Sequence, residues 1–102
     1  MKSEDPGRAD LVLSVNRTLW GRVTPELRAV TVAWDQGVVR GRFVYECLIT
    51  EDIRELVSYA ETECVADFWQ IAEVSFVAEH TPALDAWKVS EAEHVVFARM
   101  EE

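Results

Sequence analysis

The spacing of apolar residues along the chain predicts two helices, and the first of them follows Asp10. Its apolar positions recur at helical spacing and form one stripe: Leu11, Val12, Val15, Leu19 and Trp20. Asp10 is a suitable N-terminal cap, and Gly21 can end the helix in a left-handed conformation. Residues 1–8 are polar, so we expect a flexible N-terminal tail over residues 1–9 before a single α+β domain over residues 10–102.

Two alternating segments after this helix predict a β-hairpin over residues 29–45. The turn Asp35-Gln36-Gly37 places a glycine where a positive φ is favoured. The second strand of the hairpin carries Arg40 and Arg42 on the same face. We therefore expect that face to be open to water or to carboxylates, because antiparallel sheets commonly have one solvated face.

The second helix has the strongest sequence signals. Thr50 is a good N-cap, and Glu51 and Asp52 follow it at the positive end of the helix dipole. One apolar stripe runs along the helix through Ile53, Leu56, Val57, Ala60, Cys64, Val65 and Phe68.

The period then returns to two, which predicts a third strand over residues 73–79 and a fourth over residues 95–100, joined by a loop or short helix at 81–92. The element order αββαββ favours a two-layer α+β sandwich, with a four-stranded, mainly antiparallel sheet and both helices on one face. A right-handed crossover through the second helix would make strands two and three parallel. The same order would also fit a circularly permuted ferredoxin-like plait.

The charge is distributed unevenly between the two halves of the chain. Residues 1–50 hold seven Lys/Arg and six Asp/Glu, whereas residues 51–102 hold three and thirteen. A net charge of −9 disfavours nucleic acid and anionic membranes as partners and favours a basic protein surface. The N-terminus has no signal-peptide pattern and the two cysteines are too few for a disulfide framework, so we expect a reduced, cytoplasmic protein.

The residues indicate no catalytic chemistry. There is no glycine-rich phosphate loop and no nucleophile elbow. His80 and His94, each next to a glutamate, lie near the ends of adjacent predicted strands, but their spacing matches no metal-ligand signature and we favour solvated histidines. We therefore predict a protein that is not an enzyme and has no cofactor or metal.

Tryptophans and acidic residues are the candidate partner contacts. We assign Trp20 and Trp34 to the core, whereas Trp69 and Trp87 lie at an element end and in a loop, beside carboxylates, as interface anchors often do. The glutamates of the second helix have no Lys or Arg at i+4. The predicted partner-binding set is Glu51, Glu55, Glu61, Glu63, Asp67, Trp69 and Trp87.

Two segments resemble a known family. They are similar to segments of contact-dependent growth-inhibition immunity proteins and their relatives. The first is Trp20-Gly21 followed by Thr24-Pro25-Glu26-Leu27-Arg28-Ala29-Val30, and the second is Ala66-Asp67-Phe68 near the end of a Glu-rich helix. The resemblance spans residues 10–102 and implies an αββαββ domain that neutralises a toxin delivered by a neighbouring cell. It implies scaffold roles for the matching residues, with Arg28 pairing with a carboxylate of the second helix. The loop at 81–89 is longer than the family pattern.

Two functional hypotheses follow. The first is a stoichiometric inhibitor of a basic toxin domain, a nuclease, that binds through the acidic face. The alternative is a housekeeping interaction module or homodimer with no toxin partner.

Overall fold

The computed structural model describes residues 6–101 and confirms the predicted α+β fold and its αββαββ element order. The helices are α1 (Arg8–Thr18) and α2 (Glu51–Phe68), and the strands are β1 (Leu27–Asp35), β2 (Val38–Tyr45), β3 (Glu73–His80) and β4 (Glu93–Ala98). Residues 1–5 of the predicted tail lie outside the described residues.

The four strands form one mixed sheet in the order β3-β2-β1-β4. Strand β1 is antiparallel to both of its neighbours, β2 and β4, whereas β2 and β3 are parallel. The mainly antiparallel sheet and the parallel crossover through α2 are thus confirmed. The ferredoxin-like alternative is wrong, because it would place β3 beside β4, and these strands are at opposite edges.

Both helices pack on one face of the sheet and form the second layer. Helix α1 packs against β1, β4 and α2, and α2 packs against β3. The core between the layers is made of buried residues from every element except β4: Leu11, Val15, Leu19, Leu27, Val30, Val32, Val39, Phe43, Tyr45, Val57, Ala60, Cys64, Phe68 and Phe76. From β4, Val96 and Phe97 pack against the margin of this core.

Helix α1 begins and ends earlier than its pattern predicts. Gly7 is the N-cap, and the Asp10 carboxylate accepts the Gly7 N–H at 3.4 Å from inside the first turn, so the assignment of Asp10 as the cap is wrong. The helix ends at Thr18, and Gly21 adopts a φ of +74° in the turn that follows. Trp20 therefore leaves the apolar stripe and is 80% exposed, which corrects its assignment to the core.

Helix α2 agrees closely with its local signals. The Thr50 hydroxyl accepts the Ile53 N–H at 3.2 Å and caps the helix. The buried positions Val57, Ala60, Cys64 and Phe68 recur at spacings of three and four, as predicted. Val65 is the exception, because it turns toward solvent.

The hairpin turn is made by Gln36 and Gly37, both with positive φ, in a two-residue connection whose twist suits the flanking strands. Further along β2, Gly41 lies under the ring of Phe76 from β3. A Cβ at position 41 would be 2.7 Å from that ring, so close packing of the two parallel strands requires glycine there.

Strand β4 is two residues earlier than predicted and does not alternate regularly. Its register against β1 shifts between Val30 and Thr31, which pair with Phe97 and Val95. Val96 is the extra residue of this irregularity, so Val96 and Phe97 both pack against the core. A strict period of two would have placed these two side chains on opposite faces.

Residues 81–92, which we call the strap, connect β3 to β4 and therefore run from one edge of the sheet to the other. The strap contains turns but no helix. It crosses the sheet face opposite the helices, where Arg42 donates to the Lys88 carbonyl. The β1 and β2 residues on this face are buried as well: Ala29, Thr31, Ala33 and Val44. The expectation of an open face is thus wrong along the middle of the sheet, because a loop covers it.

Carboxylates do meet the arginines of this face, as predicted. Arg42 pairs with Glu93 at 2.6 Å and with Glu79 at 3.0 Å, and the more exposed Arg40 pairs with Asp35 at 2.9 Å. Burial acts to raise the pKa of Glu93, but hydrogen bonds from Ser90, Thr31 and Arg42 outweigh it and hold this pKa below its usual value. Arg42 therefore ties β2, β3, β4 and the strap together.

Arg28 is the second residue that holds the strap. Its side chain is 3% exposed, and its Nη1 donates to the carbonyls of Thr81, Pro82 and Asp85 at 2.8–3.1 Å. Its Nε and Nη2 each donate to Glu101 at 2.8 Å. The expectation that Arg28 pairs with a carboxylate of α2 is wrong, because Arg28 lies on the opposite side of the sheet from that helix.

The Arg28–Glu101 pair predicts a pH dependence of stability. Hydrogen bonds from Arg28, with a smaller effect of Arg99, lower the pKa of Glu101 from 4.5 to about 2. A carboxylate with a lowered pKa stabilises the fold fully above its unfolded-state pKa, and this contribution is lost as the pH falls from about 4.5 toward 2. Between these pH values, the melting temperature of Glu101→Gln should therefore fall less than that of the wild type. Glu51→Gln, which removes an exposed carboxylate, is the control; equal losses in all three proteins would contradict the prediction.

Candidate partner-binding surface

The seven predicted partner-binding residues do not form one cluster. Six of them are on or directly after α2, but the helical turn directs them to three different sides of that helix. The seventh, Trp87, lies in the strap on the other face of the sheet and is partly buried. Trp69 and Trp87 therefore belong to different surfaces.

Glu63 and Asp67 face α1 and the turn after it, where they form ion pairs. Glu63 accepts two hydrogen bonds from Arg22 at 2.8 and 2.9 Å, and these bonds lower the pKa of Glu63. Asp67 accepts from Arg17 at 2.6 Å and from the buried Ser14 hydroxyl at 2.5 Å. The expectation that the glutamates of this helix lack cationic neighbours is wrong for Glu63, because its partner is 41 residues away in sequence.

Glu61 is on the other side of α2 and faces the edge strand β3. Its carboxylate accepts the backbone N–H of Phe76 at 2.8 Å. It also lines a groove of about 430 Å³ between α2 and β3, together with Ile49, Arg54, Val57, Ser58, Phe76, Val77 and Ala78. Glu61 therefore has a structural partner of its own, and the i+4 rule could not reveal it because that partner is a strand amide.

Glu51, Glu55 and Trp69 lie on the solvent side of α2. Trp69 is 69% exposed, and within residues 6–101 neither glutamate forms an ion pair. Tyr59, which is not in the predicted partner-binding set, is also exposed. We call this surface the α2 outer face and define it by Glu51, Glu55, Tyr59, Thr62, Ala66 and Trp69. In the sequence, Tyr59 follows Glu55 by four residues, as Glu55 follows Glu51. This spacing indicates that the three side chains lie on one side of the helix.

The ion pairs join the basic residues of the first half of the chain to the acidic residues of the second half. Four arginines of the first half pair with carboxylates of the second: Arg17, Arg22, Arg28 and Arg42. Part of the sequence asymmetry is therefore neutralised by ion pairs between the two halves of the chain. The unpaired carboxylates Glu51 and Glu55 at the start of α2 become the more distinctive acidic feature.

The two histidines are far apart in the fold. His80 ends β3 and His94 lies in β4, at opposite edges of the sheet, so the premise that they lie on adjacent strands is wrong. Within the described part of the chain, no three His, Cys, Asp or Glu side chains are placed to hold a metal ion. Both cysteines are free thiols, and burial raises the pKa of Cys64, which contacts the Ser14 hydroxyl at 3.4 Å.

Across residues 6–101, neither helix has the length and apolarity needed to cross a bilayer.

Comparison with models of known protein families gives a match over nearly the whole chain. The family model of the MafI2 immunity protein matches residues 8–101, which include both helices and all four strands. No curated protein matches the chain. Proteins of immunity families neutralise toxins and are in general not enzymes, so the resemblance to small bacterial immunity proteins is confirmed at this level. Because the match covers nearly the whole chain, the protein belongs to the MafI2 immunity protein family.

Proposed function

We propose that this protein neutralises a toxin domain with a basic surface by binding to it through the α2 outer face. The observation that carries the proposal is the unpaired state, within residues 6–101, of Glu51 and Glu55, beside the exposed aromatic residues Tyr59 and Trp69. Exposed carboxylates accelerate encounter with a cationic surface, and exposed aromatic side chains supply contact area once the partner has docked.

A nuclease is the toxin class that best suits this surface. An enzyme that cleaves nucleic acid needs a cationic groove for phosphates, and an acidic inhibitor can occupy that groove. The encounter would take place in the cytoplasm, where a toxin delivered by contact-dependent growth inhibition meets its nucleic-acid substrate. The family membership supports the general role in immunity, and the charge and exposure of α2 support the basic partner.

The remaining predicted contacts have different roles in this proposal. Glu63 and Asp67 are held by Arg22 and Arg17, so they form the rim of the surface beside α1. Trp87 lies across the sheet from Trp69, and we assign it to a separate contact or to covering the sheet.

The test measures association with the toxin domain encoded by the gene directly upstream of the one for this protein. In Glu51→Gln/Glu55→Gln, the low-salt association rate constant should fall on the order of three- to tenfold, because steering depends on the charge near the docking site. The wild-type rate should fall steeply with added salt, and the difference between the two proteins should shrink.

The matched control is Asp85→Asn/Glu91→Gln, which removes the same charge from exposed positions of the strap. It should associate at close to the wild-type rate. Equal rates for the α2 variant and the wild type at low salt would overturn the proposed surface. Failure of the wild type to bind or protect against any toxin domain, with a stable homodimer in sedimentation, would instead support the alternative of a self-assembly module.

A further inference from the structure

We infer that the free edge of β3 is a second docking site, which takes an extended, basic segment of the toxin as an added β-strand. The inference rests on the proposed function, since it names a further part of the same partner. The observations that carry it are the direction of the β3 backbone groups, the groove beside them and the contact made by Glu61.

The hydrogen-bond directions of β3 follow from its pairing with β2. The N–H groups of Glu73 and Thr81 donate to the carbonyls of Gly37 and Tyr45. The backbone N–H and C=O groups of the odd-numbered residues of β3 therefore point toward β2. Backbone groups alternate in direction along a strand. The N–H and C=O groups of Val74, Phe76, Ala78 and His80 therefore point away from the sheet, along an edge where residues 6–101 supply no neighbouring strand.

This edge is accessible and partly apolar. Val77 is 46% exposed, and the groove of about 430 Å³ lies between the strand and α2. Apolar groups from Ile49, Val57 and Phe76 line the groove. An added strand would satisfy the outward backbone groups and place alternate side chains in the groove, which is the usual form of β-strand addition. The other edge strand, β4, is shorter, has an irregular register and is packed against α1.

Glu61 occupies one of the outward backbone groups of this edge. Its carboxylate accepts the outward N–H of Phe76, whereas within residues 6–101 the outward N–H groups of Val74 and Ala78 have no acceptor. Charged groups that occupy a free edge discourage pairing with other chains. A toxin segment must displace Glu61 from the Phe76 amide, and a Lys or Arg on that segment would compensate the carboxylate.

Charge also selects the toxin over a second copy of this protein. Each copy carries a net charge of −9, and Glu61 and Glu73 lie at the edge itself, so pairing β3 with β3 would bring like charges together. A basic segment meets one cation in the groove lining, Arg54, against the two glutamates of the edge. The groove also adjoins the solvent side of α2 at Ser58, so one partner can reach both the groove and the α2 outer face.

The test substitutes Ala78→Pro, which removes one outward N–H and obstructs an added strand but breaks no hydrogen bond to β2. Ala78→Ser, which keeps the N–H, is the matched control. We expect Ala78→Pro to weaken affinity for the toxin domain at least tenfold and Ala78→Ser to bind within about twofold of wild type. Glu61→Gln, which can still accept from the Phe76 amide but offers no charge to a Lys or Arg of the segment, should bind more weakly than wild type.

Amide hydrogen exchange on the wild-type protein gives a readout that does not depend on how well a variant folds. Toxin binding should slow exchange of the Val74 and Ala78 amides at least tenfold, whereas the inward Ser75 and Val77 amides are already bonded in the free protein. If the wild type binds but these amides exchange unchanged, or if Ala78→Pro binds as wild type does, the strand-addition site is overturned and the proposed function stands. Protection of the same amides without toxin, in a dimer, would also overturn it. Absence of any wild-type binding would reject the proposed function itself.

Discussion

Phe68→Ala is expected to lower the free energy of unfolding by about 3–5 kcal/mol. Phe68 is the last residue of α2, is 4% exposed and belongs to the core between the helices and the sheet. Truncation to alanine removes most of the buried ring and leaves a cavity that rigid neighbours fill only in part. Urea unfolding followed by circular dichroism would measure the change.

The adjacent residue provides the control for this prediction. Trp69→Ala removes a larger aromatic side chain at the next position, but Trp69 is mostly exposed, so we expect a change within about 0.5 kcal/mol. If Phe68→Ala unfolds at the wild-type urea midpoint, the orientation of the C-terminal part of α2 is wrong. If instead Trp69→Ala is the destabilising change, its indole packs on the domain and cannot be an anchor for a partner.

The elements that could be predicted from the sequence are those whose signals are local. The Thr50 cap, the apolar stripe of α2 and the turn at Gln36-Gly37 each depend on residues a few positions apart, and all three are present. Trp20 was assigned to the core because the apolar spacing of the helix continues to it. This spacing does not indicate that the helix ends at Thr18. The faces of the β4 side chains were predicted incorrectly because Val96 is an extra residue in the pairing and reverses the alternation of the residues before it.

The features that could not be predicted depend on contacts between distant parts of the chain. The strand order decides that residues 81–92 must cross a face of the sheet, and the sequence left that order open. Once the strap covers the face, Arg28 and Arg42 find carbonyl and carboxylate acceptors there. The sequence does not identify these carbonyl and carboxylate acceptors, because they are 37 to 73 residues away from the arginines.

The same reason explains the candidate site. Counting charges at i+4 along α2 identified its glutamates but could not show that Arg22 reaches Glu63 from the turn after α1. Among the predicted acidic residues, Glu51 and Glu55 are the two that are exposed and, within residues 6–101, unpaired. Tyr59 was missed because an aromatic residue on a polar ridge is usually noticed only when its exposure is known.

Arg28→Met is the second large change that we expect, with a loss of about 2–4 kcal/mol in unfolding free energy. Methionine keeps much of the apolar stem but leaves the carbonyls of Thr81, Pro82 and Asp85 without their buried donor, and it leaves Glu101 without its main partner. The control is Arg40→Met, where the arginine is half exposed and, among residues 6–101, bonds only to Asp35; it should lose about 0.5 kcal/mol or less.

The strap itself gives a local readout of the same prediction. Trypsin can cleave after Lys88, and in the wild type the Lys88 carbonyl is held by Arg42 while Arg28 fixes the start of the strap. Under conditions where the domain stays folded, Arg28→Met should be cut at Lys88 at least about tenfold faster than wild type and Arg40→Met, because loosening the strap lowers the free energy of local opening. Unchanged cleavage together with unchanged stability would show that Arg28 does not hold the strap. The strap and α2 lie on opposite faces of the sheet. Arg28→Met should therefore be cleaved faster at Lys88 and still bind the toxin domain through the α2 outer face.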